Sequence, residues 1–374
     1  MLKDIIRNAK SPWTTADGQQ ADYVLCSRIR LARNFACCPF PLKQTEASAQ
    51  KVLDIMQEFC RRHPEYHFYL LDDITPLDRQ VLVEKHLISR EHAAADRPYK
   101  GLVLDDEGSV SIMVNEEDHL RIQCFAPGLD LSALWQKASA LDDQIEEIER
   151  YAFDEKLGYL TCCPTNLGDG LRGSVMMHLP ALAITKQLGI LNQLSNLGMT
   201  VRGLYGEGSD ATGDLYQISN QVTLGQTEYD ILTNLHSITL QIIKEERSAR
   251  EFLREHHHDE LEDQIWRAMG TLTHARYLSS QETLRLISLV RLGYSMGYLE
   301  QLTFGQINDL YLLAQPGYLQ EMKGEDMDAH QRDGYRAQKI QEKLSDKTID
   351  PTFRRRSKDH KRRKNRSERV NVYV

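Results

Sequence analysis

The 374-residue sequence lacks any apolar run near the ~18 residues that a membrane span needs. Its first residues show neither the long apolar core nor the small-residue cleavage site of a secretory signal. None of its seven cysteines forms a C-x-x-C pair, which argues against a structural zinc site. These absences predict a cytoplasmic protein whose thiols are mostly buried and reduced.

The sequence also lacks the motifs by which most nucleotide-binding proteins hold phosphates. It contains no G-x-x-x-x-G-K-[ST] loop and no glycine-rich loop of the protein-kinase kind. A phosphate site in this chain would therefore need another source of positive charge. Arginine suits that role, because its planar guanidinium binds phosphate oxygens bidentately and stays charged at any working pH.

Negative charge dominates the chain except near its C-terminal end. The formal net charge is −8, and Arg354–Arg369 holds ten Lys or Arg against two acids, a net of +8, so the remainder sums to −16. A body that acidic is a poor general binder of nucleic acid. We expect the basic tail to be disordered and solubilising, with contact to an acidic surface such as nucleic acid as the alternative.

Hydrophobic periodicity divides the chain into a mixed part and a helical part. Alternation predicts a strand within 22–34, a hairpin at 102–114 and a further strand at 120–125, whereas 46–62 and 131–148 predict amphipathic helices. Strands and helices do not alternate regularly, which favours an α+β fold with a largely antiparallel sheet over a doubly wound fold. The predicted divisions are an N-terminal segment (1–21), a mixed domain (22–235), an all-α domain (236–345) and a basic tail (346–374).

Five short segments place arginine or carboxylate side chains where ordinary packing has no use for them. Arg28 and Arg30 are two apart on a predicted strand and so point to one face. Arg121 lies in a second predicted strand, and Arg172 and Arg202 each stand beside glycine. A single arginine of this kind is usually a surface ion pair, but five together indicate a polyphosphate site. The segments are Cys26–Arg30, Asn115–Arg121, Cys163–Gly168, Arg172–Met176 and Arg202–Gly208.

The acids in these segments fit a substrate that carries a guanidinium. Such a group has a pKa above ~12 and becomes a nucleophile only when a nitrogen loses its proton. Glu117 and Glu207 are candidates to orient the group and accept that proton. An acidic, solvated turn is the alternative for Glu116–Asp118. The thiolate of Cys163, stabilised by a cationic substrate, would be a third anionic contact.

These segments resemble those of the phosphagen (guanidino) kinase family. The run C-P-T-N-L-G resembles the family signature, and N-E-E-D-H-L-R and R-G-x-x-G-E are similar to its other active-site segments. From about residue 22 to 340 the chain resembles the bacterial protein-arginine kinases, as in V-L-C-S-R-I-R-L-A-R-N, V-L-V-E-K-H-L-I-S and Q-I-S-N-Q-V-T-L-G. The resemblance implies a phosphagen-kinase-type catalytic domain, followed by the helical domain. It also implies ATP-dependent phosphorylation of arginine side chains in proteins, with Mg²⁺ accompanying the ATP.

Site residues follow from the resemblance position by position. It implies catalytic roles for Glu117, Glu207 and Cys163, and it assigns no protein ligand to a metal. The pattern R-D-x-x-R-A implies an allosteric phosphoarginine site at Arg332, Asp333, Arg336 and Ala337, for which a solvated, charged helix face is the alternative. Nucleotide binding is implied for Cys26, Ser27, Arg28, Ile29, Arg30, His86, Arg121, Arg172, Gly173, Ser174, Val175, Met176, Arg202, Gly203, Leu204, Tyr205, Gly206 and Glu207.

Two features bear on rival functions. Asp169 stands where the family usually has a small hydroxyl residue, and a carboxylate there could repel phosphates or reach for magnesium, which leaves open a phosphoarginine-binding adaptor with weak or no kinase activity. The other rival is a kinase of a small guanidino compound. Such relatives carry an N-terminal helical domain that closes over the substrate. Because only 1–21 precede the first motif, we expect an open site that suits arginine on a protein.

The resemblance further implies partners. Its substrates would be proteins with exposed arginine, marked for a Clp-type protease complex or belonging to the stress response as a repressor. A zinc-binding activator protein and assembly into a homo-oligomer are also implied.

Overall fold

Ten strands occur in this computed structural model, which describes residues 1–8, 11, 15, 18–94, 96–203, 212–300 and 302–345. Eight form one sheet in which every pairing is antiparallel, and β6 and β7 form a separate small hairpin. The strands are β1 (Val24–Arg33), β2 (Tyr66–Leu70), β3 (Gly101–Asp105), β4 (Val110–Val114), β5 (Leu120–Pro127), β6 (Phe153–Asp154), β7 (Gly158–Tyr159), β8 (Leu171–His178), β9 (Met199–Gly203) and β10 (Leu215–Asn220).

The order across the large sheet is β2-β3-β4-β5-β1-β8-β10-β9. Strand β1 therefore lies in the interior, paired with β5 on one side and β8 on the other. The predicted hairpin turns at Gly108, whose φ of 71° is in the left-handed region that glycine adopts without strain. The predicted α+β fold with a largely antiparallel sheet is confirmed.

Thirteen helices are described, and their starts follow local capping rules. Helix α2 begins where the Thr45 hydroxyl accepts from the backbone N–H of Ser48, and its apolar face (Val52, Met56 and Phe59) is buried. The helices are α1 (Leu2–Arg7), α2 (Glu46–Arg62), α3 (Pro76–Glu84), α4 (Arg90–Ala93), α5 (Leu131–Glu146), α6 (Pro180–Ile184), α7 (Gly189–Asn192), α8 (Glu228–His256), α9 (His258–His274), α10 (Ser280–Ser295), α11 (Phe304–Leu313), α12 (Pro316–Lys323) and α13 (Ala329–Ser345).

One face of the sheet centre is covered by helices. Helix α5 packs on β1 and β5, and α8 packs on β8 and β10. The approach is close: a Cβ added at Gly173 would lie 3.1 Å from a δ-carbon of Leu235 and 3.2 Å from one of Leu232. The helix layer therefore buries one face and leaves the other face of the same strands for a site.

The helical part is joined to the sheet part by buried polar contacts. The carboxylate of Glu84, on α3, accepts from the N–H groups of Gly317 and Tyr318 at 2.8 and 2.7 Å, at the start of α12. Arg250 on α8 donates to the carbonyl of Asp22, just before β1. The predicted division at 235/236 lies inside α8, and the division of the chain into domains stays a prediction.

Of the helices described, none is both long and apolar enough to cross a membrane.

Candidate active site

The register of the large sheet brings the predicted phosphate-binding arginines to one face. Directly opposed residues of an antiparallel pair share a face, as do residues two apart on one strand. Arg30 of β1 is opposite Arg172 of β8, and Ala32 of β1 is opposite Arg121 of β5. Because Arg28 is two residues from Arg30, four arginines from three neighbouring strands lie on this surface, which we call the arginine face.

The fifth arginine joins the same face through two further strands. Cys26 of β1 is opposite Met176 of β8, which is opposite Gln217 of β10, and Gln217 is opposite Arg202 of β9. Arg202 therefore lies on the arginine face, three strands from β1. The described residues thus place all five arginines that the sequence singled out on the side of the sheet opposite α5 and α8.

A cleft on the arginine face is built around Arg28. Its Nη2 donates to Oε1 of Gln217 at 2.9 Å, and its Nε lies 3.4 Å from Oγ of Ser174. The guanidinium carbon lies 5.9 Å from the ring centroid of Phe125. All three partners are neutral, so none of them compensates the positive charge of Arg28. The cleft is lined by Cys26, Arg28, His86, Phe125, Ser174, Met176 and Gln217.

Burial and crowding of like charges raise the free energy of the cations on this face. Desolvation, followed by the charges of Arg172, Arg121 and Arg202, lowers the pKa of Arg28 to about 10. The pKa of Arg30 is also lowered well below its ordinary value, first by desolvation and then by Arg28 and the other arginines. Because a guanidinium in a protein stays protonated at neutral pH, both charges persist. A polyanion would relieve this repulsion, which favours binding of a nucleotide triphosphate here.

His86 lies in the cleft as a neutral group. Desolvation, with a contribution from the charge of Arg28, lowers the pKa of His86 to about 4. Burial raises the pKa of the neighbouring Cys26 thiol to about 12. Neither side chain is charged at neutral pH, so both can contact an uncharged part of a ligand, while the arginines provide the electrostatic attraction.

Several of the predicted nucleotide-binding residues have side chains on the other face of the sheet. Ser27, Ile29 and Val175 are buried toward the helices, and Ser27 Oγ donates to the carbonyl of Gly128 at 2.8 Å. Gly173 and Gly203 are also buried, at positions that alternate with Arg172 and Arg202. A ligand on the arginine face could contact these residues only through backbone atoms. The predicted residues Leu204, Tyr205, Gly206 and Glu207 lie outside the described residues.

The acidic segment forms a tight turn between β4 and β5. Asn115 has a φ of 58°, and its N–H donates to the carbonyl of His119 at 2.9 Å. Arg121 of the arginine face donates to Glu116 and, through Nη2, to Oε2 of Glu117 at 2.9 Å. Glu116 is buried, whereas the Glu117 side chain is 39% exposed. The alternative of a fully solvated acidic turn is therefore wrong, and Glu117 is the member that a substrate can reach.

The Cys163 segment is fastened to this turn by its neighbours. The carboxylate of Asp118 accepts from the N–H of Cys162 at 2.7 Å and from Nδ2 of Asn34 at 2.6 Å. Asn34 Nδ2 also donates to the carbonyl of Leu160. Half-buried Cys163 has its Sγ 3.0 Å from Oγ1 of Thr165. The structure therefore joins the loops of two of the three predicted catalytic residues and ties both to the end of β1.

This arrangement can be compared with known proteins. The family described as ATP:guanido phosphotransferase, C-terminal catalytic domain, matches residues 47–249, and the protein-arginine kinase McsB C-terminal domain matches residues 258–360. The chain is 46% identical to the protein-arginine kinase of Desulforamulus reducens, over 92% of this chain and 98% of that protein. It is also 46% identical to the Bacillus subtilis (strain 168) protein-arginine kinase, over 92% and 96%.

The chain belongs to the protein-arginine kinase family. Solved structures agree on the fold: a lombricine kinase has a TM-score of 0.56 at 24% identity, covering 64% of this chain and 71% of its own. A duplicated taurocyamine kinase from Schistosoma mansoni has a TM-score of 0.56 at 24% identity, covering 68% and 36%. The family, fold and enzyme class predicted from the motifs are thus confirmed, and membership implies that ATP is used.

Sequence analysis missed several residues that shape this protein-arginine kinase site. Phe125 and Gln217 line the Arg28 cleft, and Asn34 donates to both Asp118 and Leu160, which joins the Glu117 turn to the segment before Cys163. Asn34 is the last residue of the run V-L-C-S-R-I-R-L-A-R-N, and Gln217 is the first of Q-I-S-N-Q, so the motifs already pointed to both segments. Their roles were not indicated, because each depends on a partner at least 84 positions away in sequence.

Asp169, the departure from the family pattern, lies beside the helix layer. Its backbone carbonyl accepts from Nη1 of Arg33, and its Oδ2 is buried with no hydrogen-bond partner among the described residues. Desolvation, and then the charge of Glu228 at the start of α8, raises the pKa of Asp169 to about 6. The charged groups that act on this carboxylate are thus Glu228 and Arg33, which belong to the helix-covered side.

The predicted regulatory segment lies on α13, and its arginines are engaged within the fold. Arg336 is buried, and its Nη1 donates to the carbonyl of Leu278 and to the carboxylate of Asp333. Arg332 Nη1 donates to the carbonyl of Met327 at 2.6 Å. Ala337 is buried too. The alternative of a solvated, charged helix face is therefore wrong, although a phosphoarginine site here stays a prediction.

Proposed function

We propose that this protein transfers the γ-phosphoryl group of ATP to the guanidinium of arginine side chains in proteins. The observation that carries the proposal is the position of Arg121. It lies on the arginine face and also forms ion pairs with Glu116 and Glu117. A group that contacts phosphate is thereby joined to a group that contacts the acceptor, as an in-line transfer between them requires.

The proposed reaction is a displacement at phosphorus. Glu117, together with Glu207 and the thiolate of Cys163, holds the substrate guanidinium. A carboxylate accepts a proton from one nitrogen, whose lone pair then forms the N–P bond while the bond to the β,γ-bridging oxygen breaks. ADP leaves with that electron pair. Arg28, Arg30, Arg121, Arg172 and Arg202 stabilise the charge that develops on the phosphates.

We further propose Mg²⁺ as the metal, entering with the nucleotide as MgATP. Metal ions commonly bridge the phosphates in such transfers. Among the described residues, the group with metal-ligand geometry is the exposed set His258, Asp259 and Glu262 on α9, not a set on the arginine face. In this proposal the ion would be held by the phosphates of the nucleotide, whose negative charge it would offset during the transfer.

We propose proteins with exposed arginine as the substrates and the cytoplasm as the place where the kinase acts. The names of the relatives support protein over small-molecule substrates. A zinc-binding activator, a stress-response repressor, a Clp-type protease complex and self-assembly remain proposals that follow from the family resemblance. So does regulation by phosphoarginine at Arg332, Asp333, Arg336 and Ala337.

The test is phosphorylation of a loosely folded protein such as casein with MgATP. We expect arginine in casein to be labelled far better than free arginine. The product should be acid-labile, because a P–N bond breaks once its nitrogen is protonated. Comparable turnover of free arginine would instead identify a kinase of small guanidines. ATP-independent binding of phosphoarginine without any labelling would identify an adaptor.

A further inference from the structure

Large apolar side chains remain exposed on the segments that surround the Cys163 loop. They come from three separate parts of the chain, and each part is bonded to a catalytic loop. We call this set the apolar rim, and it consists of Leu42, Phe153, Leu157, Val222 and Leu224. Exposed apolar residues are ordinary when scattered singly, so the question is what their position around a reaction centre does.

Leu42 lies between the two catalytic loops. It is 81% exposed, in the single 3₁₀ turn Pro41–Lys43. Its backbone lies close enough to the thiol of Cys162, the neighbour of Cys163, to lower the pKa that burial raises. Two residues later, Gln44 Nε2 donates to Oδ1 of Asn115, at the start of the Glu117 turn, at 2.9 Å. Leu42 therefore points to solvent from a turn that touches both loops.

Val222 and Leu224 flank the other side of the Cys163 loop. Between them, buried Thr223 donates from Oγ1 to the carbonyls of Thr165 and Leu167, at 3.1 and 2.6 Å. Leu224 is close enough to Gly168 that a Cβ added there would lie 2.8 Å from Leu224 Cα. The segment that carries these two side chains, which are 46% and 48% exposed, is thus attached to the loop by hydrogen bonds of Thr223.

The small β6–β7 hairpin completes the rim. The N–H of Tyr159 donates to the carbonyl of Gly168 at 2.8 Å, which attaches the hairpin to the end of the Cys163 loop. Exposed Phe153 packs edge-on against the Tyr159 ring, with centroids 5.3 Å apart, and Leu157 precedes β7. Phe153 and Leu157 nevertheless remain 58% and 43% exposed on this short hairpin.

We propose that the apolar rim binds apolar side chains next to the target arginine in an extended, unfolded segment of the substrate. This inference rests on the proposed function. An extended chain advances ~3.3 Å per residue, so a peptide whose arginine enters beside Glu117 and Cys163 must carry its next few residues across the surrounding loops. The occupant of the rim is therefore set by the reaction itself. The chain outside the basic tail carries a formal net charge of −16, which attracts a substrate segment that contains arginine.

The magnitude is enough to give selectivity. Full burial of a leucine or phenylalanine side chain stabilises by roughly 1.5–3 kcal/mol. A contact that covers part of such a side chain would give about a tenfold preference for the apolar peptide. The preference would appear in KM, because the contact stabilises the ground state and the transition state equally. Apolar residues beside arginine are buried in folded proteins and exposed in unfolded ones. The rim would thus direct the kinase to unfolded chains.

The experiment compares two peptides that share one arginine and differ only in its flanks, leucine and phenylalanine against serine and glycine. The variants are Leu42→Ser and Leu224→Ser, with Leu240→Ser as the control, because Leu240 is 41% exposed on α8. We expect the wild type to prefer the apolar peptide about tenfold in kcat/KM. Either rim variant should lower kcat/KM for the apolar peptide several-fold. The kcat/KM for the serine–glycine peptide and the KM for MgATP should be unchanged, and the control variant should behave as wild type.

Three results would overturn the inference. One is an equal kcat/KM for the two peptides in the wild type. Another is an equal loss on both peptides in the rim variants, which would show a distorted site. The third is unchanged discrimination together with a change of oligomeric state in sedimentation, which would make the rim a contact between copies.

Binding of an Arg→Lys version of each peptide, followed by fluorescence anisotropy, tests the rim without turnover. Preferential binding of the apolar version, lost in Leu42→Ser, would support the rim even if no peptide were phosphorylated, an outcome that would refute the proposed function alone. Equal binding of both versions would refute the rim.

Discussion

Arg250 in the helical part is buried, Arg28 on the arginine face is half-buried, and the surroundings of these two arginines differ. In the helical part Arg250 donates to Glu246 at 2.8 Å, to Ser295 at 2.9 Å and to the carbonyl of Asp22. Its charge is compensated by a buried carboxylate. On the arginine face, Arg28 contacts the neutral side chains of Gln217 and Ser174, and like charges lie on the neighbouring strands.

The difference distinguishes an arginine whose charge is compensated within the fold from arginines that we propose bind phosphate. Within the buried pair Arg250 and Glu246 each compensate the other's charge, so loss of either partner would leave an uncompensated buried ion. Crowded cations on one face destabilise the fold until an anion arrives. The two regions are also connected: Arg250 holds the backbone at Asp22, immediately before β1, which carries Arg28 and Arg30.

Matched substitutions should have opposite effects in the two regions. Arg250→Met leaves Glu246 buried without its cation, which typically costs about 3–5 kcal/mol of unfolding free energy, and the MgATP affinity of the folded protein should be retained. Arg28→Met removes one of five like charges. We expect it to leave stability unchanged or raise it, and to weaken MgATP binding at least tenfold. Urea denaturation and calorimetric titration measure the two quantities.

Equal destabilisation by both substitutions would erase the distinction. So would unchanged MgATP affinity in Arg28→Met. Stabilisation by added MgATP provides a further check, since a ligand that binds only the folded state raises its stability by mass action. That increase in melting temperature should be large in wild type and small in Arg28→Met.

In the proposed reaction Glu117 accepts a proton from the acceptor guanidinium, so loss of its carboxylate should lower the rate of transfer. Glu117→Gln keeps the shape but removes the base, and general-base catalysis typically contributes ~10²–10⁴ in rate. We expect kcat on casein to fall by about 10² or more, with little change in MgATP affinity. Single-turnover labelling of arginine measures the step. The control is Glu155→Gln, an exposed acid in the β6–β7 turn.

Retention of more than a third of wild-type kcat in Glu117→Gln would exclude Glu117 as the base. Weakened MgATP binding would indicate that its ion pair with Arg121 serves to place the phosphate arginine instead. The two outcomes distinguish proton transfer from positioning.

Local structure was predictable from the sequence because its causes are local. The spacing of Val52, Met56 and Phe59 and the cap at Thr45 specify α2, which was predicted with its observed bounds. Alternation likewise identified β1, and with it the shared face of Arg28 and Arg30. The prediction stopped at 148 for a helix that ends at Glu146, an error of the size that fraying ends produce.

The rest of the site could not be predicted because it depends on strand register. Arg30 meets Arg172 across 142 positions, and nothing local specifies that pairing. The same holds for the hydrogen bonds of Asn34 to Asp118 and Leu160. Motif resemblance supplied the residues, but only the register shows which side chains face the cleft and which, like Ile29, face the helices.

The helical part offers a regulatory test of the comparison. If Arg332–Ala337 binds phosphoarginine, free phosphoarginine should change kinase activity several-fold, since allosteric coupling is typically 1–3 kcal/mol. Asp333→Ala removes the partner of Arg336 and should abolish the response, while basal transfer survives. The control is Asp326→Ala, an exposed acid shortly before α13. Calorimetry and activity are followed in parallel.

Equal binding of phosphoarginine by wild type and Asp333→Ala would remove the segment from the regulatory account. Its arginines would then be structural, like Arg250, since Arg336 is already bonded to Leu278 and Asp333 within the fold.

The smallest expected effect concerns Asp169, a carboxylate that neither region compensates fully. Burial and Glu228 raise its pKa from 3.8 to about 6, so the folded protein binds this proton more tightly than the unfolded chain does. Stability from that proton is fully present below pH ~4 and is lost as pH rises through about 6. Asp169→Asn should therefore raise the unfolding free energy by about 1 kcal/mol at pH 8, allowing for solvent screening, and by less at pH 5.

The measurement is urea denaturation of both proteins at pH 5 and pH 8, with kcat on casein determined at pH 8. Because the charges that act on Asp169 are those of Glu228 and Arg33, on the helix-covered side, kcat should change less than threefold. A much larger gain of activity in Asp169→Asn would instead show that its carboxylate repels the phosphates. A stability difference independent of pH would show that Asp169 does not titrate in this range, and its raised pKa would then be wrong.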